Sequence, residues 1–380
     1  MKLEINADSF YQDGYPTYTR LTGFPEADPR LAGLLLNHRV VNGIFDDLTP
    51  DHDYDGDGVD DWAFPDTGLW DPDRNTDLFV GAMRFWRDHG VIAFTIGLQG
   101  GNPFWTSPPP EGRRIEDLDC GAFAPDGALR PAFMARLKRI LDRAEELDMV
   151  PIVNYFYQHQ VHRVREEAIP TAVDNATNWL LDRGYDRLIV DLANECTHPA
   201  YYPSLRLDGI HDLLLRVRDI VDLHNVRTGK ERRLWLGASL TAAYSTAEYI
   251  ALVPETYFRA VDLLLPHGNH RTTDEVRRAI VALRERALAT LARPLPIVYN
   301  EDMNTPRPEP GSDHSGDLAH LEACIAAHAS WGMLVRSHQM VPCQAWFEGS
   351  EAQDAWFAAT RALAGAPLPP RSVKKLYYRI

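Results

Sequence analysis

Two glutamates stand at positions where chemistry is expected. Glu195 closes the run LIVDLAN and Glu301 closes PIVYN, so each directly follows an asparagine at the end of a short apolar segment. If the two side chains face one another across a pocket, they form the pair that cleavage of a glycosidic bond requires. One carboxyl, kept protonated, donates to the leaving oxygen, and the other attacks the anomeric carbon. A carboxyl separation of about 5 to 5.5 Å corresponds to retention of configuration, and roughly 6.5 to 9.5 Å to inversion. Taken singly, a glutamate is more often a solvated or ion-paired surface group.

Histidines offer a competing chemistry. His267, His270, His338 and His159, with Asp46 or Glu301, have the donor types of a metal centre, and the chain would then be a metal-dependent hydrolase. Such enzymes usually carry an HxH on their first strand, whereas the first apolar run here ends in Asp46-Asp47.

A third constellation is the acidic run DHDYDGDGVDD, residues 51–61. Counted from Asp53, positions 1, 3 and 5 are Asp53, Asp55 and Asp57, position 6 is Gly58, and position 9 is Asp61. That is the first half of an EF-hand-like calcium loop, and it resembles the repeats of thrombospondin type 3 and dockerin modules. Position 12 is Phe64 rather than the bidentate glutamate. The expected metal ligands are Asp53, Asp55, Asp57 and Asp61. A calcium ion held there would order a loop rather than perform chemistry.

The elements that must position these residues are legible as alternation. Short apolar runs occur at Val40–Phe45, Val91–Leu98, Val150–Phe156, Leu188–Leu192, Leu234–Ala238, Val261–Leu265, Ile297–Tyr299 and Met333–Val335. Runs with so little polar alternation suit parallel strands buried on both faces. Between them lie segments of helical spacing, such as Phe133, Leu137, Ile140, Leu141, Ala144 and Leu147. Seven more are read near Thr76–His89, Thr171–Arg183, Ile210–Leu223, Thr246–Ala260, Asp274–Leu291, Asp317–Ser330 and Glu351–Ala364. Eight strands, each followed by a helix, predict a (β/α)8 TIM barrel over residues 39–380, with residues 1–38 as a short β-hairpin extension packed on its floor. A doubly wound sheet is the alternative, but the first strand is not followed by GxGxxG and the chain has no Walker loop.

Barrel enzymes build their sites at the C-terminal ends of the strands. Here those ends carry Asp46, Gln99, Tyr157 and His159, Asn194 and Glu195, His267, and Glu301, with Trp346 beyond the last strand. Asp46, Gln99 and His159 are read as substrate-binding members of this polar ring. Tyr157 and Trp346 are the aromatic residues expected to pack against a sugar ring.

An Asn-Glu pair ending strand four and a second Glu ending strand seven resemble the clan A glycoside hydrolases, the barrel group of cellulases, β-mannanases and β-galactosidases. The resemblance implies that Glu195 is the acid/base, Glu301 the nucleophile and Asn194 a ligand of the sugar 2-hydroxyl, with His267 contacting the nucleophile from strand six. It implies a retaining β-glycosidase that needs no cofactor for its chemistry. The clan often has an Arg near strand two and a Trp ending strand eight; this chain offers Gln99 and, some residues after the strand, Trp346. A noncatalytic carbohydrate-binding barrel is a third reading, because fold does not fix function.

Composition narrows the partners. With 39 Lys and Arg against 54 Asp and Glu, the formal charge is 39 − 54 = −15, which repels phosphate backbones. The expected partner is an oligosaccharide or glycoside, not nucleic acid or a membrane. Four scattered cysteines argue for reduced thiols rather than a disulfide framework. The N-terminus lacks the apolar run of a signal peptide, so a cytoplasmic location is expected unless a leader has been removed.

Overall fold

The computed structural model describes residues 2–20, 23–54, 56–104, 115–244, 246–302, 315–334 and 351–367. Strands β1 (Leu3–Asn6), β2 (Ser9–Gln12) and β3 (Tyr15–Pro16) form a small antiparallel sheet. Seven further strands follow: β4 (Asn37–Arg39), β5 (Ala93–Gly97), β6 (Val150–Tyr157), β7 (Ile189–Asn194), β8 (Trp235–Gly237), β9 (Val298–Asp302) and β10 (Ser330–Met333). They lie in the order β8-β7-β6-β5-β4-β10-β9, with every pairing parallel.

The sheet closes on itself through residues 261–268, which hydrogen-bond to both edges. His267 N–H donates to Leu240 O at 3.0 Å on the β8 side, and Gly268 N–H donates to Glu301 O at 3.0 Å on the β9 side. The sixth stave is therefore bridged rather than a regular strand, and with it the barrel has eight staves.

The helices are α1 (Pro72–Asp88), α2 (Pro131–Glu146), α3 (Ile169–Arg183), α4 (Ile210–Thr228), α5 (Ala247–Ile250), α6 (Glu255–Ala260), α7 (Thr273–Leu291), α8 (Ser315–Ala326) and α9 (Glu351–Leu363). Their ends follow local rules. Asp71 caps α1, whose first residue is Pro72; Thr272 and Glu275 form a reciprocal capping box on α7; and Gly184 ends α3 at φ +88°. The predicted helix over Thr246–Ala260 is two short helices, because Pro254 has no N–H to carry a helix through. On α2 the residues Phe133, Leu137, Ile140, Leu141 and Ala144 are all buried, as the spacing requires. No helix among the described residues is long and apolar enough to cross a membrane.

The small sheet covers the floor of the barrel. Trp235 Nε1 donates to Leu3 O at 3.1 Å, and Tyr18 Oη donates to Gly90 O at 2.6 Å; Trp235 begins β8 and Gly90 precedes β5.

The first barrel strand lies earlier than its apolar signature suggested. It is Asn37–Arg39, and Val40–Phe45 is the turn that follows it. These turn residues are apolar because they pack into buried clusters: Val41 meets Leu334, and Phe45 joins an aromatic group on the barrel mouth. A run of this length cannot be told from a strand by periodicity. The shift has a functional consequence. Arg39, not Asp46, ends the first strand.

Candidate active site

Glu195 sits immediately after β7 with φ +55°, a left-handed conformation that costs a non-glycine residue about 1–3 kcal/mol. Its carboxylate is held on both oxygens. Gln158 Nε2 donates to Oε2 at 3.0 Å, and His267 Nδ1 shares a hydrogen bond with Oε1 at 3.1 Å.

Glu301 lies within β9 and is equally constrained. Arg39 Nε is 2.6 Å from its Oε2, Asn269 Nδ2 donates to Oε1 at 2.6 Å, and His267 Nδ1 is 3.6 Å from Oε2. Arg39 is 2% exposed, so this is an ion pair in the barrel interior. One ligand-capable atom from each of Glu195, His267 and Glu301 lies within 4.8 Å of the others, and among the described residues no other His, Cys, Asp and Glu group clusters so closely. Sites as far apart in sequence as β4, β7 and β9 converge here because the closed barrel brings every strand end to one mouth.

Asn194 joins the two halves. Arg39 Nη2 donates to its Oδ1 at 2.5 Å, and its Nδ2 donates to Gln158 Oε1 at 3.1 Å. The Glu301–Arg39 ion pair is thus continued by hydrogen bonds from Arg39 through Asn194 and Gln158 to Glu195.

Electrostatics follow from this packing. Burial works against a charge on His267, but Glu301 and Glu195 outweigh it and raise its pKa above the ordinary histidine value, with Arg39 opposing. Tyr157 is buried beside the same groups; burial first, then the charges of Glu195 and Glu301, push its phenol well above the usual tyrosine range. Asp191, below the mouth on β7, is pushed up to about 6 by burial, while Arg39 and His267 pull it the other way.

The other expected residues are placed variously. Gln99 commits both ends of its amide to main chain: Nε2 donates to Gln160 O at 3.0 Å, and Oε1 accepts from Tyr157 N–H at 3.0 Å. His159 pairs with Glu116 at 2.8 Å and stacks edge-on against His198, with ring centroids 5.5 Å apart. Asp46 is held by Arg136 at 3.2 Å and by Trp70 Nε1 at 3.1 Å in the loop after the first strand. Trp346, Asp55 and His338 lie outside the described residues.

In the acidic loop, Asp53 accepts from Gly56 N–H at 2.8 Å and from Gly58 N–H at 2.9 Å; Asp57 accepts from Val59 N–H at 2.8 Å, and Asp61 from Tyr54 N–H at 2.6 Å. The loop is tied to the mouth by aromatic rings. Tyr54, Trp62 and Phe104 pack together at centroid distances of 5.2–5.6 Å, in the same buried cluster as Tyr157.

Arg39, Gln158 and Asn269 touch the two glutamates and were not among the expected site residues. For Arg39 the sequence held a signal, a lone cation inside LLLNHRVV, since a buried charge needs a partner. Gly268 also matters. A Cβ there would lie 2.4 Å from the Asp302 carboxylate carbon, so only glycine lets this stave approach β9 closely.

No protein-family profile matches the chain, and no curated protein matches its sequence. Solved structures do match. A GH5-4 broad-specificity endoglucanase from an uncultured bacterium is 12% identical with a TM-score of 0.52, over 88% of this chain and 94% of that one. A β-mannanase from the blue mussel Mytilus edulis is 9% identical with a TM-score of 0.51, over 96% of both chains. A β-glucosidase from Exiguobacterium marinum is 12% identical with a TM-score of 0.50, over 87% and 97%. What the chain shares with these three enzymes is the fold. At such identities the likeness concerns the fold, and the side chains must argue the function themselves.

Proposed function

We propose that this chain is a retaining β-glycosidase in which Glu301 is the nucleophile and Glu195 the acid/base. The observation that carries the reading is the approach of the two carboxylates, with an oxygen of each within 4.8 Å of the other and His267 between them. That spacing supports double displacement, because inversion requires room for a water between carboxyls roughly 6.5–9.5 Å apart.

The steps follow from the partners. Glu301, aimed by Arg39 and Asn269, attacks the anomeric carbon as the glycosidic C–O bond breaks and the proton of Glu195 passes to the leaving oxygen. For this step the proton of the Glu195–His267 hydrogen bond rests on Glu195. Glu195 then takes a proton from water, whose oxygen attacks the anomeric carbon and releases Glu301. Asn194, which precedes Glu195 and is hydrogen-bonded to the Arg39 that pairs with Glu301, is assigned to the sugar 2-hydroxyl, and Tyr157 to the wall of the sugar subsite. The substrate is an oligosaccharide or glycoside.

The metal-dependent alternative fits the donor set less well. The Arg39 guanidinium already supplies the positive charge at Glu301 Oε2, and the neighbouring carboxylate oxygens are engaged in hydrogen bonds with Asn269, Gln158 and His267. A divalent cation would have to displace or repel Arg39.

The test is turnover of chromogenic β-glucosides, β-cellobiosides, β-mannosides and β-galactosides by the wild type and by Glu195→Gln and Glu301→Gln. Both variants should fold and lose at least ~10³-fold in kcat. Azide should restore turnover of an activated substrate by Glu195→Gln, giving a β-glycosyl azide. Undiminished activity in either variant refutes the assignment, and activity abolished by a chelator favours the metal reading.

A separate proposal concerns the acidic loop. We propose that residues 53–61 hold a structural calcium ion, since Asp53 folds the loop back through Gly56 and Gly58 in the half of the pattern that the sequence retains.

A further inference from the structure

The left-handed backbone at Glu195 needs something to hold it, and one residue of the next stave does so. Ser239, fully buried just after β8, contacts the chain around Glu195 with its side chain and both main-chain groups. Its Oγ accepts from Glu195 N–H at 2.9 Å, and its carbonyl accepts from Cys196 N–H at 2.8 Å. Its own N–H donates to Asp191 Oδ1 at 2.8 Å and also lies 3.1 Å from Ala193 O. The grip therefore begins and ends on β7 and its immediate continuation, with Asp191 four residues before the glutamate.

We infer that Ser239, oriented by Asp191, is a positioning residue for Glu195. It fixes the strand-end turn that aims the carboxyl at Gln158 and His267. The inference rests on the proposed acid/base role of Glu195. Ser239 is fully buried and its Oγ bonds main chain at the end of β7, Glu195 N–H and Ala193 O, so its effect passes through the turn that carries Glu195. Glu301, whose partners are Arg39, Asn269 and His267, is left in place.

This division gives the inference a signature that general destabilisation lacks. An acid that is slightly misplaced matters for a poor leaving group, which needs the proton, and little for one that departs unassisted. Misplacement by about 1 Å costs ~10²-fold in rate. In Ser239→Ala, kcat/KM for a phenyl β-glycoside of the sugar cleaved in the panel above should fall ~10- to 100-fold. For the 2,4-dinitrophenyl glycoside of the same sugar it should fall less than ~3-fold. Ser239→Thr, which restores a hydroxyl, should recover most of the loss. Ser239→Cys, which keeps the bulk but accepts hydrogen bonds weakly, should behave like Ser239→Ala. Equal losses on the two leaving groups overturn the inference while leaving the glutamate assignment standing.

A measurement independent of turnover accompanies it. In a crystal structure of Ser239→Ala, Glu195 should leave the left-handed region or lose its contact with Gln158. An unchanged Glu195 conformation overturns the inference whatever the kinetics of the wild type.

Discussion

The strand-end site and the acidic loop draw on the same residue types and use them in opposite ways. In the loop, the carboxylates of Asp53, Asp57 and Asp61 accept from backbone N–H groups within a few residues of themselves. In the site, Glu195 and Glu301 are held by side chains on other staves, through hydrogen bonds with Gln158, His267 and Asn269 and an ion pair with Arg39. Local bonds shape a turn, and any short acidic segment can form them. Bonds between distant elements exist only when the whole barrel is folded, and they fix carboxylates where water is scarce. That is where electrostatic interactions are strong enough to direct a reaction.

The contrast is sharpest in activity. Glu301→Gln and Glu195→Gln should each lower kcat at least ~10³-fold, whereas Asp53→Asn should stay within ~3-fold of wild type on the same chromogenic substrate. Comparable losses in all three would erase the distinction.

Stability comes next. Arg39→Ala leaves Glu301 buried without its counter-charge, and urea unfolding should register a loss of about 3–5 kcal/mol. Asp57→Ala, at an exposed turn, should cost less than about 1 kcal/mol. A small loss for Arg39→Ala would mean that the buried pair matters no more than a surface contact.

Each region also holds a histidine whose pKa is raised. At His267 burial is overcome by Glu301 and Glu195; at His52 burial is overcome by its hydrogen bond to Asp60 and the charges of Asp47 and Asp60. A folded pKa above the unfolded value of about 6.5 adds stability that is complete below that pH and is lost as pH rises through the folded pKa. His267→Gln should therefore flatten the decline of stability above about pH 6.5, measured by urea midpoints across pH 6–9. His52→Gln should flatten it less, because that group is partly solvated. A pH slope unchanged in His267→Gln would show that its charge is not coupled to folding.

The smallest effect is expected from calcium. Millimolar calcium should raise the melting temperature by about 1–3 °C, and Asp53→Ala/Asp55→Ala should abolish the rise. A flat response in the wild type would leave the loop a purely hydrogen-bonded turn.

Read from its residues, the chain discloses most of the architecture. Strand and helix alternation is visible because parallel strands are apolar on both faces and the helices carry a stripe, and Pro254 marks the one predicted helix that divides. Glu195, Glu301, Asn194 and His267 are recognisable because each closes an apolar run. Less was legible where packing outweighs local pattern. Val40–Phe45 looked like a strand because the turn buries its side chains, and that displaced the strand end from Arg39 to Asp46. Gln99 looked like a ligand, yet it is tied to Gln160 and Tyr157 main chain.

Sequence alone thus determined the order of elements, the acidic charge and the position of two glutamates at strand ends, because these follow from local composition and periodicity. Only the tertiary structure decided that Arg39 faces Glu301, that Gln158 and His267 share Glu195, and that Ser239 holds its backbone. Those contacts join residues far apart in the chain, and barrel closure, which no local pattern encodes, is what brings them within hydrogen-bonding distance.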